Sequence, residues 1–473
     1  MSHPLLVLSL LTSLIVGGVL IDTLPAAEPV AIGDRLELFV DRHLVESIDG
    51  AELRLHSPRP AEIALKFDVP WERAYSGYVT VFRDGNKVRM YYRGWPEAGK
   101  EKNSPQYACM AESDDGITFT RPNLGLVEFN GSKANNIVYD TPSHNFTPFK
   151  DTRPGCPEDE RYKAVQTFKS TTGLGGLAAY VSSDGIHWRQ LGDKPVMTKG
   201  AFDSQNLAYW DTAKQEYRCY YRIFTNKVRA VAVATSQDFR TWSEPTPIDL
   251  GDAPAEHFYT NATTPYFRAP HYYFSFPKRY VPARKRLEGH DTPGISDGVF
   301  MSSRDGIHFD RTFLEAFIRP GRDQHSWGDR SNMTAWGVIQ TAPDEMSVYY
   351  SQNYRYPDHH MRRGVLRLDG IASLHAGAKS GELITKPITF RGEQLVLNYA
   401  TSAAGSVRIE LQDAAGKPLP GYTLDDAVEL YGDQIAEAYR WKQGADVAKL
   451  AGQSIRVRFV VRDADVYSYR FGE

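Results

Sequence analysis

The sequence is poor in cysteine. Its 473 residues include only three, Cys109, Cys156 and Cys219. A sparse, odd set does not form a disulfide framework, and no Cys-x-x-Cys pair indicates a zinc site. Cys109 and Cys219 lie in strand-like runs, so we expect their thiols to be packed rather than reactive.

The sequence also lacks an excess of charge of one sign. Its formal net charge is −3 and its pI is about 6.5. A chain with this balance has no overall field that attracts nucleic acid or an anionic membrane surface. We therefore expect neither of them as a partner.

Long hydrophobic runs are absent except near the first residues. The run from Leu5 to Ile21, followed by Ala26 and Ala27, resembles a secretory signal. We expect residues 1–27 to be a signal peptide and the mature protein to be secreted or periplasmic. The segment before the run has no Lys or Arg, so an uncleaved anchor is the alternative, although the run is at the short end of what spans a bilayer.

Several catalytic motifs are missing as well. The sequence has no Gly-x-Ser-x-Gly elbow, His-Glu-x-x-His helix, phosphate-binding loop or dinucleotide fingerprint in a supporting context. Serine hydrolase, zinc protease and nucleotide-dependent chemistry are therefore disfavoured. No residue pattern indicates a cofactor.

What the sequence does contain is a repeated tag, "VSSDGIHW" at 181–188. Variants occur as "AESDDGITF" at 111–119, "ATSQDFRTW" at 234–242 and "MSSRDGIHF" at 301–309. The interval between copies is roughly 50 to 70 residues, which is typical of propeller blades. In each copy a serine ends a strand, a turn follows, and Trp or Phe opens the next strand. We expect the tag, anchored at Ser113, Ser183, Ser236 and Ser303, to be structural.

The tag divides the chain into five repeats. Each contains an inner strand, a polar turn, a Tyr-rich second strand, a third strand ending in the tag, and an outer strand. We expect an all-β protein with a five-bladed β-propeller at 28–379, closed by 34–41 as the outer strand of the fifth blade. From about residue 380 the strands alternate without tags, which predicts a C-terminal antiparallel β-sandwich at 380–473.

Polar segments precede all five inner strands, and in a propeller these segments converge at one end of the axis. They are "PWERAYSG" (70–77), "TPSHNF" (141–146), "GAFDSQN" (200–206), "AEHFYTNAT" (255–263) and "QHSWGDRSN" (324–332). Four of them carry a carboxylate: Glu72, Asp203, Glu256 and Asp329. Convergent carboxylates beside aromatic residues favour glycoside hydrolysis, in which one carboxyl group protonates the leaving oxygen and another attacks the sugar or activates water.

The surroundings of these carboxylates suggest separate roles. Glu256 has apolar neighbours and is the expected acid, and Asp203 lies among amides and is the expected base or nucleophile. Asp329 and Glu72 would orient the substrate or tune the pKa of the acid. The alternative for each is a structural cap on loop amides.

Other polar residues near the inner strands are candidate substrate contacts. They are Arg73, His144, Asn145, Gln205, His257, Tyr259, Arg268, His271 and Arg330, together with Glu72. Arg73, Arg268 and Arg330 would clamp a carboxylate or sulfate on a sugar, or else pair with local acids. His271 is equally a structural strand histidine, and the basic loop 278–290 is either a rim for a polyanionic polysaccharide or a solvated loop.

With its repeats and its segments "LFVDRHLVE", "GYVTVFRDGNKVRMYYRG" and "VLRLDGIASLHAG", the chain resembles the five-bladed propeller glycoside hydrolases. That group includes invertases, levanases, arabinanases and neoagarobiose hydrolases, and its invertase branch carries a C-terminal β-sandwich. The resemblance implies cleavage of glycosidic bonds in a poly- or oligosaccharide. The invertase motifs Asn-Asp-Pro-Asn, Arg-Asp-Pro and Glu-Cys are missing, so no catalytic residue is transferred from the family. The tag also resembles the Asp-box of sialidases, which have six blades.

Two hypotheses about function follow from the sequence. The first is an exported glycoside hydrolase, and the second is a carbohydrate-binding propeller without catalysis. Two acids about 5 to 10 Å apart across an open pocket favour the first, whereas acids locked in salt bridges favour the second. The expected partner is a carbohydrate, neutral or anionic. The sequence neither indicates nor excludes a calcium ion on the propeller axis.

Overall fold

The computed structural model describes residues 28–96, 105–140, 145–170, 173–288 and 292–472. The predicted signal peptide and His144 lie outside these ranges. Regular structure is almost entirely β, which confirms the all-β prediction, with short 3-10 turns at Glu158–Glu160, Gln324–Trp327 and Ala448–Leu450. Within the described ranges, no helix is long and apolar enough to cross a membrane.

Among the described residues, five four-stranded antiparallel sheets follow one another along the chain. Sheet 1 contains Gly77–Asp84, Lys87–Gly94, Tyr107–Ser113 and Ile137–Tyr139. Sheet 2 contains Thr147–Lys150, Tyr162–Ser170, Gly173–Ser182 and Arg189–Gln190. Sheet 3 contains Leu207–Asp211, Glu216–Thr225, Val228–Ser236 and Thr246–Pro247.

The last two sheets are less regular. Sheet 4 contains Thr264–Tyr266, Ala269–Ser275, Met301–Ser303 and Phe309–Asp310. A three-stranded ribbon contains His257–Phe258, which precedes sheet 4 in sequence, and Lys278–Val281 and Ile295–Gly298, which lie between the second and third strands of sheet 4. Sheet 5 contains Ile339–Ala342, Glu345–Gln352, His360–Arg367 and, from early in the chain, Arg59–Lys66.

The first strands of the sheets, here called inner strands, lie close to one another. Thr80 in sheet 1 pairs in parallel with Trp336, just ahead of sheet 5, through hydrogen bonds of 2.8 Å on both sides. The Trp336 indole donates to the Thr263 carbonyl, at the entrance to sheet 4 (2.9 Å). A cavity of about 440 Å³ is lined by residues in or next to all five inner strands. The first and last sheets are therefore neighbours.

The strand that completes sheet 5 is Arg59–Lys66, which is antiparallel to His360–Arg367. The prediction that 34–41 plays this part is wrong, because Glu37–Leu38 pairs with Ser468–Tyr469 instead. Residues 37–41 are all buried, without the alternation of an outer strand that has one face in water. Consecutive burial marks a segment enclosed on both faces.

The remaining strands form one ten-stranded sheet, here called the terminal sheet. Its strands are Val30–Gly33, Glu37–Leu38, Val45–Asp49, Glu52–Leu55, Ala372–Ala376, Gly381–Thr385, Ile388–Phe390, Gln394–Asp413, Asp433–Ala438 and Ile455–Gly472. It encloses its own apolar core, which includes Tyr399, Trp441 and Phe459. Sheet membership does not follow the expected boundary at 380, because strands within 30–55 and 372–376 join this sheet.

The repeated tag forms a tight turn with the same hydrogen bonds in each copy. In sheet 1 the Ser113 hydroxyl accepts from the Gly116 amide (2.9 Å), and the Asp115 carboxylate accepts from the Ile117 amide (2.8 Å). In sheet 2 the serine in this position is Ser182, so the expected anchor Ser183 is one residue too late.

Each of three tags also accepts a hydrogen bond from a tyrosine of the neighbouring sheet. The hydroxyl groups of Tyr91 and Tyr220 donate to the carbonyls of Gly185 and Gly306 at 2.9 and 2.8 Å, and that of Tyr349 donates to Gly116. Because these bonds fasten one sheet to the next, the structural role predicted for the tag is confirmed.

The three cysteines are free and buried. Burial raises the pKa of the Cys109 and Cys219 thiols far above the usual value, which keeps them protonated and unreactive. Their predicted packing role is confirmed.

Candidate functional site

The loops ahead of the inner strands meet, and hydrogen bonds join them in sequence. The Asn145 amide donates to the Ser204 carbonyl (2.7 Å), and the Ser204 hydroxyl donates to the Tyr259 carbonyl (2.5 Å). Arg330 then bridges the hydroxyl groups of Tyr259 (3.3 Å) and Tyr354 (3.2 Å). Loops from sheets 2 to 5 are thereby tied into one site.

We call this site the arginine–tyrosine cluster. Its members are Tyr78, Arg93, Asn145, Asp203, Arg222, Arg229, Tyr259, Lys278, Asp329, Arg330, Tyr354 and Arg355. Solvent reaches it, since Asp203 is exposed and the side chains of Arg330 and Arg355 are 24% and 20% exposed.

Six of the predicted site residues are at this convergence of loops. They are Asn145, Asp203, Gln205, Tyr259, Asp329 and Arg330. Gln205 is buried behind the cluster, where its amide donates to the Val79 carbonyl (2.9 Å) and so holds the entrance of sheet 1. The other five belong to the cluster itself.

The two carboxylates of the cluster have different surroundings. Asp203 is exposed and acts electrostatically on the Tyr78 hydroxyl. Asp329 is buried, and Arg355 donates to both its oxygens at 3.0 and 3.2 Å. Burial alone would raise the pKa of Asp329, but Arg355, Lys278 and Arg330 together hold it below the usual value. Asp329 is therefore ionised at neutral pH.

Glu256, the expected acid, is not in the cluster. Its carboxylate is held between Arg279 (2.8 Å) and Arg311 (2.7 Å), and Arg279 also pairs with Asp297 (2.7 Å). Arg279 donates to one carboxylate oxygen and Arg311 to the other, so both oxygens are already occupied by protein donors. The acid role expected for Glu256 does not fit, because its ion-pair partners, unlike its apolar sequence neighbours, are distant in the chain.

Glu72 is also elsewhere and fully buried. Arg121 binds both of its carboxylate oxygens (3.0 and 2.7 Å), and the Tyr92 hydroxyl donates to one of them (2.5 Å). Burial raises the pKa of Glu72 although Arg121 opposes it. Glu72 is thus enclosed by structural partners and does not reach the cluster.

Arg268 and His271 lie toward the terminal sheet. Arg268 is 3.5 Å from Asp369, which also accepts from Ser468 of that sheet (3.2 Å). His271 is 3.6 Å from Glu37. Their predicted role in substrate binding is not supported, since both follow the inner strand of sheet 4 rather than precede it.

The remaining predicted contacts are peripheral or undescribed. His257 accepts from the Arg229 amide through Nδ1 (3.2 Å), and burial with the Arg229 charge lowers its pKa. Arg73 is exposed, with a φ of 135°. His144 is outside the described residues. Of these three, His257 is next to a member of the cluster.

Sequence reasoning missed most of the cations in the cluster. Arg93 lies near the end of the second strand of sheet 1, Arg222 lies in the second strand of sheet 3 two residues after the partner of Leu207, and Lys278 begins a strand of the ribbon. In a hairpin, the end of the second strand lies beside the start of the first, as the pairing of Gly77 with Arg93 shows. The signal was the repeated "YYR" at 91–93 and 220–222.

Four of these cations surround the ring of Tyr259. The Lys278 amine is 4.0 Å from the ring centroid, and the guanidinium groups of Arg222, Arg229 and Arg330 are 5.0, 5.5 and 5.5 Å away. Burial, together with the charges of Arg330, Arg229 and Arg222, holds the pKa of Lys278 well below the usual value. The three guanidinium groups therefore make the site strongly positive.

Tyr78 lies beside Arg93, whose guanidinium is 4.5 Å from the ring centroid. Its φ of 52° is in the left-handed region, which is unusual and costly for a bulky residue. Its hydroxyl is buried and has no hydrogen-bond partner within the described ranges, and burial raises its pKa well above the usual value. The fold thus holds a strained tyrosine with an unused hydroxyl at the site.

Within the part of the chain that the structure describes, no three side chains of His, Cys, Asp or Glu come together as a metal site requires. The chemistry of the cluster, dominated by arginine and tyrosine, also does not fit a cation.

Comparisons with known proteins give a likeness of fold. No protein-family model matches the chain, and no curated protein matches its sequence. Among solved structures it is similar to that of BT0996 in complex with RGII (13% identity, covering 66% of this protein and 92% of BT0996, TM-score 0.46). It is also similar to an N-acetylgalactosamine deacetylase from F. plautii in complex with blood group B trisaccharide (14% identity, covering 69% of this protein and 96% of the deacetylase, TM-score 0.44).

A third similar structure is the GH32 β-fructofuranosidase BmSUC1 of Bombyx mori (10% identity, covering 88% of this protein and 94% of BmSUC1, TM-score 0.42). The solved structures that this protein resembles thus include glycoside hydrolases of propeller type. Likeness at these scores supports no transfer of residues or reaction.

Proposed function

We propose that the protein is an exported glycoside hydrolase and that its glycan lies at the arginine–tyrosine cluster. The observation that carries the proposal is the meeting of the inner-strand loops at one partly open site with aromatic rings and two carboxylates. Tyrosine rings supply flat apolar faces against which sugar rings pack. Export is proposed from the apolar run at 5–21.

In this proposal the five sheets are blades of a five-bladed β-propeller, and the terminal sheet is the C-terminal sandwich. The pairing of Thr80 with Trp336, which joins the first and last inner strands, supports closure of a ring. The pairing of Glu37–Leu38 with Ser468–Tyr469 supports assigning the early strands to the sandwich. The propeller then extends from Arg59 to about residue 371.

The two carboxylates of the cluster would divide the chemistry. Asp329, ionised by its arginine partners, would activate water or attack the sugar. Asp203 is exposed and, in this proposal, would donate the proton to the leaving oxygen. These roles differ from the sequence-based ones because Glu256 is held by two arginines elsewhere.

A second candidate function is glycan binding without cleavage. The specific observation that favours it is the pairing of Asp329, whose side chain is 6% exposed and accepts from Arg355 through both oxygens. A carboxylate engaged in this way positions arginines well but is poorly placed to attack. A binding site needs no acid–base pair.

The test combines cleavage and binding on a panel of plant and algal polysaccharides. Hydrolysis predicts product release that is lost in Asp203→Asn and Asp329→Asn and kept in Glu256→Gln, the matched carboxylate outside the cluster. Binding that Tyr259→Ala abolishes, with no product release by the wild type, favours the second candidate. Cleavage undiminished in Asp203→Asn and Asp329→Asn would falsify the proposed site.

A further inference from the structure

Positive charge in the arginine–tyrosine cluster is not matched by negative charge. Five arginines belong to it, against Asp203 and Asp329. Asp329 accounts for Arg355 and Arg330. Within the described ranges, Arg93, Arg222 and Arg229 make their hydrogen bonds to carbonyl, amide, hydroxyl and imidazole atoms rather than to a carboxylate.

These unmatched cations are taken out of water. Arg93 and Arg222 are 3% and 7% exposed. A buried charge without a counter-charge is costly, and tyrosine rings offset only part of that cost. Elsewhere in the protein, buried arginines do have carboxylates, as Arg218 has Asp211 and Arg311 has Glu256.

Hydrogen-bond donors at the site are also unused. The Nε atoms of Arg93 and Arg229 and the hydroxyl of Tyr78 are buried and have no hydrogen-bond partner among the residues that the structure describes. Unpaired buried donors are rare in folded proteins, because each one gives up its bond to water. Donors and positive charge without a protein acceptor fit an anion.

We infer that the cluster binds the anionic group of an acidic sugar, a carboxylate or a sulfate ester, against the ring of Tyr259. The inference rests on the proposed function, since it names the class of glycan that occupies the same site. Both anionic groups present oxygens to which planar guanidinium forks donate in pairs. Arg222, Arg229 and Arg330, which share one aromatic ring, supply those forks.

The experiment uses two pairs of oligosaccharides that differ in charge. Oligogalacturonate is compared with its methyl ester, and a sulfated galactan oligosaccharide with its desulfated form, each titrated calorimetrically at low salt. We expect the charged member of at least one pair to bind roughly tenfold or more tightly. The pair that shows the preference tells carboxylate from sulfate.

Variants connect the preference to the cluster. Arg222→Gln and Arg229→Gln should lose the preference, and Arg54→Gln, an exposed arginine paired with Glu52 far from the cluster, should keep it. Equal affinity for charged and neutral members overturns the inference while leaving the glycan site intact. Binding of none of the four oligosaccharides overturns the proposed function, and the response to inorganic sulfate then decides whether the anion site exists.

Inorganic sulfate distinguishes failure of the anion-site inference from failure of the proposed function. A rise in the melting temperature with sulfate over chloride, lost in Arg222→Gln, shows an anion site even if no glycan binds, and then only the proposed function fails. Absence of that rise and of any charge preference removes the anion site.

Discussion

Arginines have opposite surroundings in two regions of this protein. Where sheet 4 meets the terminal sheet, Arg304 pairs with Glu37 (2.9 Å) and Asp41 (2.8 Å), and His271 lies 3.6 Å from Glu37. In the arginine–tyrosine cluster, Arg93 and Arg222 face rings and carbonyls instead. We call the first region the junction.

The difference distinguishes arginines that stabilise the fold through ion pairs from arginines that, in our inference, bind an anionic ligand. Burying an ion is tolerated when its counter-ion is buried with it, and the junction satisfies that condition internally. The cluster does not, so its arginines raise the free energy of the unliganded protein. Removing a charged side chain should therefore lower the free energy of unfolding at the junction, whereas in the cluster it should change that free energy little and remove anion binding.

The largest expected effect on stability is at the junction. Glu37→Gln leaves Arg304 without its fully buried partner and should lower the free energy of unfolding by about 3 to 5 kcal/mol. Urea denaturation measures the change. Glu52→Gln, in an exposed pair, is the control and should change little; a loss below about 1 kcal/mol in Glu37→Gln would contradict the contrast.

The same carboxylate should make stability depend on pH. Burial would raise its pKa, but His271 and Arg304 prevail and lower the pKa of Glu37 from 4.5 to about 2. A lowered pKa contributes stability above pH 4.5 that is lost as pH falls toward 2. The difference in unfolding free energy between wild type and Glu37→Gln should narrow across that window. A constant difference would show that Glu37 is not ionised in the folded protein.

A smaller effect on stability is expected at Glu256, the residue that the sequence predicted to be the acid. Glu256→Gln removes the partner of Arg279 and Arg311 at a partly exposed position, so we expect a loss of about 1 kcal/mol. Glycan affinity should stay unchanged, as measured by the same titrations. A large loss of affinity would move the site toward Glu256 and away from Asp203.

Removing an unmatched cation should affect stability least. Arg222→Met loses one hydrogen bond to the Ala201 carbonyl, which lowers stability, and removes one buried charge, which raises it. We expect the unfolding free energy to stay within about 1 kcal/mol of wild type while anion binding is lost. Destabilisation as great as that of Glu37→Gln would make Arg222 a structural residue.

The finest test concerns the proton on Lys278. An anion at the cluster should raise its lowered pKa, so binding near neutral or mildly alkaline pH takes up at most one proton. The charged groups that face Lys278 are Arg222, Arg229, Asp329 and Arg330. Binding heats of a sulfated oligosaccharide in two buffers of different ionisation enthalpy measure the uptake, and Lys278→Met should abolish the difference between buffers.

Much of the scaffold could be predicted because its signals are local. The tag carries its own turn chemistry, so it showed where each sheet turns and which loops precede inner strands. Those loops brought Asn145, Asp203, Tyr259, Asp329 and Arg330 together as expected. The outer strand of sheet 5 could not be identified in the same way, because 34–41 and 59–66 are both plausible strands locally.

The chemistry of the site was less predictable because ion pairs are long-range. Glu256 has apolar sequence neighbours, yet its partners Arg279 and Arg311 follow it by 23 and 55 positions. The loops ahead of the inner strands contain only part of the positive charge, because a hairpin places the second strand beside those loops. The repeated "YYR" would have predicted Arg93 and Arg222 had that geometry been applied.

The pairing of early strands with late ones has a consequence for folding order. Arg59–Lys66 cannot pair until His360–Arg367 has been synthesised, and Glu37–Leu38 cannot pair until Ser468–Tyr469 has been synthesised. Sheets 1 to 4 are local in sequence and can form while synthesis continues, whereas sheet 5 and the terminal sheet close only after the last strands emerge. Until then the partly made chain has unpaired strand edges near both its ends, and those edges are where misassembly should begin.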